Sequence, residues 1–417
     1  MQTKFERRTK ALVRAASVAL ILGVSACAAT PGANIEASLG AGSGPALVEL
    51  YTEVLSDSDV AIPRFEVDAA WPELPSDWII GQAAGVDVDA NDNIWIVHRP
   101  ATFDAPEIGL TQDPPTAVCC RPAPPVLQFS PSGELLAAWG GPEDAPDIDG
   151  VNQWPVSMHG VFIDEAQTVW LAGNGAGDHV VLHYTMDGEY LGQFGRREQT
   201  GGDLDTETLG RPADINLNPE TGEMLVADGY GNHRIFGFDT ETNEFTRFWG
   251  AYGNEPAAPS AAGDGGAAPT EGGGRGGADS PAYANPVHCI LRTSDGDMYV
   301  CDRVNNRLQM FRDTADGGVE FVQNIVLAPE TGFNGTATDV ALSPDETYLY
   351  VADMSNGRVW VLLRETHEPL AVIGRNGRYA GEFTWLHTIA VDSVGNIYTT
   401  EVYNGRRAQK LVLVGEE

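Results

Sequence analysis

The sequence predicts an all-β fold, a six-bladed β-propeller, and three observations carry this prediction. One unit of short strands, in which apolar and polar residues alternate, recurs six times along the chain. Polar turns separate the strands, as is typical of antiparallel sheets. The last copy lacks its fourth strand, and the start of the repeat region holds a spare one. A ring closed by that strand accounts for all three observations.

The first 26 residues are predicted to be a signal peptide and are left out of the fold. A basic start leads into the apolar run Ala15–Val24, which is too short to span a bilayer as a mature helix. The sequence Val24-Ser25-Ala26-Cys27 follows, and small residues before a cysteine resemble the lipobox of bacterial lipoproteins. This resemblance implies a lipid on Cys27 and an exported protein anchored to the bacterial cell envelope. An ordinary secretory signal with a chance cysteine is the alternative.

The chain is strongly acidic, with 59 Asp and Glu against 25 Lys and Arg and a net charge of −34. Such a surface disfavours nucleic acid and anionic lipid as partners. We therefore expect no nucleic-acid function, and membrane contact only through the lipid on Cys27. Solubility explains the charge more simply than an acid-specific partner does.

Residues 27–62 are predicted to be a flexible tether, because they are rich in Ala, Gly and Ser, and residues 63–417 form the propeller. In each copy, a first strand leads through a polar turn to a second. These strand pairs are 84–89 with 93–97, 159–164 with 169–172, 213–217 with 224–227, 288–291 with 298–300, 338–342 with 348–351, and 387–391 with 396–398. Most copies add a third and a fourth strand, and no sheet buries both faces alone, so the copies must stack in a ring.

The last copy ends after its third strand, near Leu411-Val412-Leu413. We expect Arg64-Phe65-Glu66-Val67, near the start of the propeller, to supply its missing fourth strand. An N-terminal strand that closes the last blade leaves no exposed sheet edge at the joint.

Loop lengths identify the functional face of the ring. The start of strand one, the end of strand two and the connection to the next blade all lie at one end. Long segments fall at that end, at 99–125, 140–158, 195–212, 250–287 and 374–386, whereas turns at the other end are short. Long loops on a rigid scaffold usually carry function. Within them, 251–280 is mostly Gly, Ala and Pro. A Gly-rich run could be a phosphate-binding loop, but such a loop needs a strand before it and a helix after it, and both are lacking here. We therefore interpret 251–280 as a flexible insertion.

Three of the eight histidines share one phase of the repeat. His159, His288 and His387 each open strand one, in the second, fourth and sixth blades. Alternate blades of a six-fold ring are a third of a turn apart, so three imidazoles should converge on the axis. This pattern predicts a metal site with three protein ligands and one open position, and imidazole ligands suit zinc. The other histidines lack this phase and are interpreted as surface or packing residues.

Three more residues follow strand two on the same face, namely Arg99, Tyr230 and Arg303. Two guanidinium groups near a metal can hold a carboxylate, and a tyrosine beside cations can act as a base. Taken singly, each is equally a turn residue.

Four further cysteines are available for disulfides, which an exported protein can form. Cys289 and Cys301 flank a predicted hairpin turn, so a cross-strand bridge between them is plausible. Cys119 and Cys120 are adjacent in a Pro-rich loop, and the sequence does not determine the pairing.

A family resemblance now follows from these motifs. The element Asp-x-x-x-Asn-x-Arg at Asp228–Arg234, with shorter forms at Asp302–Arg307 and Asp353–Arg358, resembles the NHL repeat. His98-Arg99, His159-Gly160, Asp228-Gly229-Tyr230-Gly231-Asn232, Pro286-Val287-His288, Asp302-Arg303 and His387, in that order, resemble the peptidyl-α-hydroxyglycine α-amidating lyase family. The resemblance implies that His159, His288 and His387 bind zinc, that Tyr230 is the catalytic base, and that Arg99 and Arg303 hold the substrate.

The resemblance also implies a reaction, the cleavage of an N-acyl-α-hydroxyglycine to an amide and glyoxylate. The partner is then a small-molecule or peptide substrate with a carboxylate. Calcium is doubtful as a second metal, because Thr388 stands where the family has a calcium-binding aspartate. Two other functions compete with this one. A membrane-tethered propeller that binds protein or glycan without catalysis would not need Tyr230 beside the two arginines. A calcium-dependent lactonase would carry Glu, Asn and Asp in its channel, where this chain has histidines.

Overall fold

Six antiparallel sheets form a ring in the computed structural model, which describes residues 46–256, 277–332 and 334–416. The predicted all-β six-bladed propeller is thereby confirmed. Across the described ranges, the helices are short 3-10 turns, and none is long and apolar enough to cross a membrane. These turns are Pro100–Thr102, Gly109–Thr111, Pro142–Asp144, Ala251–Gly253 and Arg303–Asn305. The predicted signal peptide, Cys27 and residues 257–276 of the Gly-rich segment lie outside the described residues.

The strands of the first half follow in chain order. Four strands precede the first blade: β1 (Leu47–Glu49), β2 (Thr52–Val54), β3 (Pro63–Asp68) and β4 (Trp78–Ile79). Blade one contains β5 (Gln82–Val88), β6 (Ile94–Arg99), β8 (Val126–Phe129) and β9 (Leu135–Trp139), while β7 (Arg121–Pro122) pairs with β4 beside it. The small hairpin β10 (Asp147–Ile148) and β11 (Val151–Asn152) leads to blade two, which is β12 (Met158–Ile163), β13 (Thr168–Gly173), β14 (Val180–Thr185) and β15 (Tyr190–Gly195).

The second half repeats the same order. Blade three is β16 (Asp214–Asn218), β17 (Glu223–Asp228), β18 (Arg234–Asp239) and β19 (Phe245–Trp249). Blade four is β20 (Val287–Arg292), β21 (Asp297–Asp302), β22 (Arg307–Asp313) and β23 (Val319–Val326). Blade five is β24 (Ala337–Leu342), β25 (Tyr348–Asp353), β26 (Arg358–Leu363) and β27 (Glu368–Ile373). Blade six is β28 (Leu386–Val391), β29 (Ile397–Glu401) and β30 (Arg407–Glu416).

Ring closure occurs as the sequence predicts. β3 pairs with β30 in antiparallel register, so that Val67 lies opposite Leu411. The predicted extent of the tether is wrong at its C-terminal end, however. β1 pairs with β3 on blade six, and β2 pairs with β27 on blade five. The apolar residue Leu50 between them is buried among side chains of those two blades, and this burial explains why the segment is folded.

In the described residues, six apolar clusters each lie between two neighbouring blades, and a small seventh cluster contains Ala84, Met354 and Val402. Blades two and three, for example, meet through Trp170 and Phe194 on one side and Phe236 on the other. Since both faces of a blade are covered, its central strands are buried along their whole length, as in Tyr348–Asp353. The stacking of sheets that cannot stand alone therefore supplies the hydrophobic stability.

The Asp-x-x-x-Asn-x-Arg element at Asp228–Arg234 contains an ion pair that anchors a long connection. Asp228 and Arg234 are fully buried, and their Nε–Oδ2 distance is 2.9 Å. The same guanidinium donates hydrogen bonds to the carbonyl oxygens of Asp203, Asp205 and Thr208 in the connection before blade three. This buried pair thus fixes a loop on the face that carries the histidines. Loss of one partner from such a pair costs roughly 3–5 kcal/mol.

The structure joins Cys289 to Cys301 across β20 and β21, as the hairpin predicted, with their Cα atoms 4.8 Å apart. Cys119 and Cys120 are bonded to each other in the long connection of blade one.

Candidate functional site

The three histidines occupy equivalent places on the innermost strands of alternate blades. His159 is the second residue of β12, His288 of β20 and His387 of β28. In all three blades the pairing with the next strand shifts register at the histidine. Such β-bulges turn a side chain away from the ladder, and here they direct the imidazoles inward.

The imidazoles form a nearly regular triangle. Their ring centroids are 4.8 Å apart for His159 and His288, 4.6 Å for His159 and His387, and 4.9 Å for His288 and His387. Each ring contributes one nitrogen atom to a set of three that all lie within 4.8 Å of one another. All three side chains are buried, with at most 2% of each residue exposed. Among the described residues, these three histidines form the group of His, Cys, Asp or Glu side chains whose ligand atoms are close enough together to hold one metal ion.

Each imidazole is oriented by a backbone carbonyl of the next blade. The Nδ1 atoms of His159, His288 and His387 donate to the carbonyl oxygens of Ala213, Thr338 and Ala84, at 2.7, 2.6 and 2.7 Å. A carbonyl only accepts, so Nδ1 must carry the proton and Nε2 must present its lone pair to the centre. This is the hydrogen-bonding pattern that fixes metal-binding histidines in place.

Burial lowers the pKa of each of the three imidazoles well below its ordinary value. Neighbouring imidazoles lower the pKa further for His159 and His288, the Arg99 guanidinium does so for all three, and the Arg303 guanidinium does so for His288 and His387. The neutral form, which is the form that binds metals, is therefore favoured. Three neutral imidazoles with converging lone pairs have the donor chemistry of a zinc site with one open position.

Tyr230 stands directly over this centre. Its hydroxyl oxygen lies 3.0 Å from Nε2 of His159 and 3.1 Å from Nε2 of His288. The backbone of Tyr230 is held on both sides, by a bond from its N–H to the carbonyl of Arg211 and by one from Asn285 Nδ2 to its own carbonyl. The hydroxyl is therefore fixed in position by its own strand end and by the loops around it.

The two glycines beside Tyr230 are explained by close backbone approaches. A Cβ atom on Gly229 would lie 1.9 Å from the carbonyl oxygen of Val287, which adjoins His288. A Cβ atom on Gly231 would lie 2.5 Å from the carbonyl oxygen of Gly210. Any larger residue at either position would push Tyr230 away from the histidines.

Arg99, at the end of β6, reaches toward His159. Its Nε donates to the carbonyl oxygen of Met158 at 2.8 Å, and its Nη1 donates to Gln82 Oε1 at 3.0 Å. The predicted proximity of this arginine to the histidines is thus found, with the guanidinium held by neutral partners rather than by a carboxylate.

Arg303 follows β21 directly and is also buried. Its Nη1 lies 3.4 Å from the Tyr230 hydroxyl, within donor distance. Its Nε, also buried, has no hydrogen-bond partner among the described residues. A buried guanidinium nitrogen without a partner is costly, and an anionic ligand at the site would satisfy it.

Two further residues near Tyr230 were not among those that the sequence singled out. The Arg211 guanidinium carbon lies 5.8 Å from the Tyr230 ring centroid, and Arg211 Nε donates to the carbonyl oxygen of Asn174 at 2.8 Å. The Asn174 side chain lies 3.4 Å from Arg99 Nη2. Arg211 has a left-handed backbone, with φ of 63°, which is unusual for a non-glycine residue. The long connection 195–212 was the signal that could have identified it.

Below the histidines, three aspartates occupy the innermost strands of the other three blades. Asp87, Asp214 and Asp339 accept backbone N–H groups from Ile163, Ile290 and Ile389 in the next blade. Burial raises the pKa of Asp87 and of Asp214 to about 7, and it raises that of Asp339 as well. These carboxyl groups join neighbouring blades.

Thr388 stands where the amidating lyase family has a calcium-binding aspartate. Its hydroxyl is hydrogen-bonded to the hydroxyl of Thr400.

The remaining histidines do not join the centre. Buried His98, for example, accepts a hydrogen bond from the Gly81 N–H at Nδ1 and donates one from Nε2 to the Pro124 carbonyl oxygen. His179, His183, His233 and His367 likewise contact residues elsewhere.

Fold and site together define a class of protein, an NHL-type six-bladed propeller with three convergent histidines at one end of its ring. The chain is 26% identical over 311 residues to NHL repeat-containing protein 3 of Mus musculus, which covers 72% of this chain and 70% of that protein. The corresponding human protein is 24% identical over 361 residues, 84% of each chain. This chain therefore has homologues among NHL-repeat proteins.

Similarity to an amidating enzyme is also found. Peptidyl-glycine alpha-amidating monooxygenase A of Xenopus laevis is 26% identical over 283 residues, which cover 62% of this chain. The match spans only about a quarter, 24%, of that much longer relative. No protein-family model matches the chain. Among solved structures, a streptogramin B lyase aligns over 87% of this chain and 98% of its own at 13% identity, with a TM-score of 0.45, too low to support any inference.

Proposed function

We propose that this protein is a zinc-dependent carbon–nitrogen lyase that cleaves an N-acyl-α-hydroxyglycine-type carbinolamide to an amide and glyoxylate. One observation carries the proposal: the Tyr230 hydroxyl lies within hydrogen-bond distance of two histidine Nε2 atoms and of the Arg303 guanidinium. A base, a cationic anion-binding group and a three-imidazole donor set thus meet in one place. The similarity to part of the amidating enzymes supports the same assignment.

The substrate R-CO-NH-CH(OH)-COO⁻ matches the groups at the site. The Arg303 guanidinium, whose Nε has no partner among the described residues, would bind the carboxylate, with Arg99 on the other side of the histidines. His159, His288 and His387 would hold zinc, which supplies Lewis acidity toward the substrate hydroxyl.

The phenolic oxygen of Tyr230 would take the proton of the substrate hydroxyl while Tyr230 passes its own phenolic proton to the amide nitrogen. The electron pair of that O–H bond forms the aldehyde C=O of glyoxylate, while the C–N bond breaks and its electron pair passes to nitrogen. The proton passed to nitrogen completes the amide R-CO-NH₂, and Tyr230 is again a phenol at the end of the step. Atoms and charges balance without any other reactant. The arginines offset the negative charge that develops during bond cleavage.

The experiment that tests the proposal combines metal analysis with a product assay. We expect the purified protein to hold about one zinc per chain, as such three-histidine sites do, and to release glyoxylate from an N-acyl-α-hydroxyglycine. His159→Ala should lose both properties, whereas the control His367→Ala, outside the centre, should keep both. A protein that binds no transition metal when zinc is offered would contradict the lyase and favour a propeller that acts as a protein- or glycan-binding scaffold.

We further propose that the protein is exported and is anchored to the bacterial cell envelope through a lipid on Cys27. The basic and apolar start of the chain and the small residues before Cys27 support this placement. Labelled fatty acid should enter the wild-type protein in cells but not the Cys27→Ala variant. Equal labelling of the two would refute the anchor.

A further inference from the structure

We propose that a cleft between blades five and six binds the acyl end of the substrate and favours a large apolar or aromatic acyl group. This inference rests on the proposed function and extends it to substrate choice. The cleft has a volume of about 680 Å³ and is lined by Met354 and Trp385 among others. Its size falls within the range of pockets that hold small organic ligands.

The cleft lies beside the histidine centre. Trp385 is two residues before His387, and Met354 follows the end of β25 on the same face. Trp385 packs against a buried cluster of Met354, Val402 and Ala84. The carbonyl of Ala84 is the acceptor for His387 Nδ1, so the apolar wall and the imidazole share one support.

Trp385 of this wall and Tyr403, which packs against it, are held in costly backbone conformations. Trp385 has a φ of 61° and Tyr403 a φ of 48°, both in the left-handed region that favours glycine. The N–H of Val402 donates to the Trp385 carbonyl at 3.1 Å, and the two aromatic rings lie 4.6 Å apart. Backbone strain at non-glycine residues is concentrated at binding sites, because selection retains it where the side chain is needed.

The charges around the centre are divided between two sides. Arg99, Arg211 and Arg303 lie on or beside blades one to four. The cleft is lined by the apolar side chains of Met354 and Trp385, by the Glu330 carboxyl group and by uncharged polar residues that include Asn356 and Asn376, and its described lining contains no arginine or lysine. A substrate whose carboxylate lies against the arginines would direct its uncharged acyl group toward the cleft. Met354 and Trp385 favour an apolar or aromatic group there, and the amides can bond to a peptide backbone.

The test compares N-benzoyl- and N-acetyl-α-hydroxyglycine as substrates of the full chain. We expect wild type to favour the benzoyl compound in kcat/KM, and Trp385→Ala to lower kcat/KM for that compound about tenfold while changing the acetyl compound little. Trp385→Phe should retain most of the preference. Tyr379→Ala, in the same connection but 81% exposed, should behave as wild type. A preference that survives in Trp385→Ala would overturn the inference.

A binding measurement separates this inference from the proposed function. Calorimetry with N-benzoylglycine and N-acetylglycine requires no turnover. Tighter binding of the benzoyl compound that depends on Trp385, in a protein without lyase activity, would support the cleft and reject the lyase. Turnover of both substrates with equal kcat/KM, and equal binding of both glycines, would support the lyase and reject the cleft.

Discussion

The hydroxyl oxygen of Tyr230 lies 3.0 Å from Nε2 of His159, and the geometry assigns the proton between them. His159 Nδ1 donates to the carbonyl of Ala213, so its Nε2 carries no hydrogen and must accept from the phenol. His288 Nε2 is an acceptor for the same reason, since its Nδ1 donates to Thr338, and the single phenolic hydrogen is shared between these two acceptors. If the Nε2 lone pairs bind a metal, the Tyr230 hydroxyl must find another partner, and a substrate hydroxyl is the partner that the proposed reaction supplies.

Tyr230→Phe should therefore remove the base while leaving the metal site intact. We expect kcat to fall by about 100-fold or more, the usual contribution of a positioned base, with zinc content unchanged. Glyoxylate release and metal analysis on the same preparation measure both quantities. Turnover at the wild-type rate would show that Tyr230 is not the base.

Arg303→Ala should weaken the binding of the substrate carboxylate. A hydrogen bond to a charged group contributes about 1.5–3 kcal/mol, so we expect KM to rise roughly tenfold to a hundredfold. Arg312→Ala is the matched control, because Arg312 pairs with Asp297 at the opposite end of β21. Steady-state kinetics distinguish the variants, and an unchanged KM in Arg303→Ala would exclude this arginine from carboxylate binding.

Asp87→Asn should alter how stability depends on pH. Burial raises the pKa of Asp87 from its ordinary 3.8 to about 7 in the folded protein. The folded state thus binds this proton more tightly than the unfolded chain does, and the free energy of unfolding should fall as pH rises from about 4 to about 7. The asparagine does not titrate and retains an oxygen for the Ile163 N–H.

Relative to the asparagine variant, wild type should lose at most about 4 kcal/mol over that range. Urea unfolding at a series of pH values measures this difference. Asp187→Asn, at an exposed turn, serves as the control and should leave the dependence as in wild type. Parallel curves for wild type and Asp87→Asn would show that the Asp87 carboxyl does not titrate in this range.

Much of this molecule could be predicted from its sequence, because the propeller repeats one local pattern. The alternation within each strand determined the six sheets, and the equal phase of His159, His288 and His387 determined that they meet. The missing strand near Leu411 and the spare strand at Arg64–Val67 determined the closure of the ring, since an unpaired sheet edge is unfavourable. These inferences need only counting along the chain.

The tertiary structure alone decided what depends on contacts between distant segments. The sequence assigned residues up to 62 to a tether, but burial of Leu50 between blades five and six orders part of that segment. Arg211 carries no repeat signal, and only the folding of its loop places it beside Tyr230. The cleft at Trp385 arises between two blades, and side chains of neither blade alone would form it. Alternation along a strand specifies which face is buried, whereas the packing of loops from different blades specifies which residues share a site.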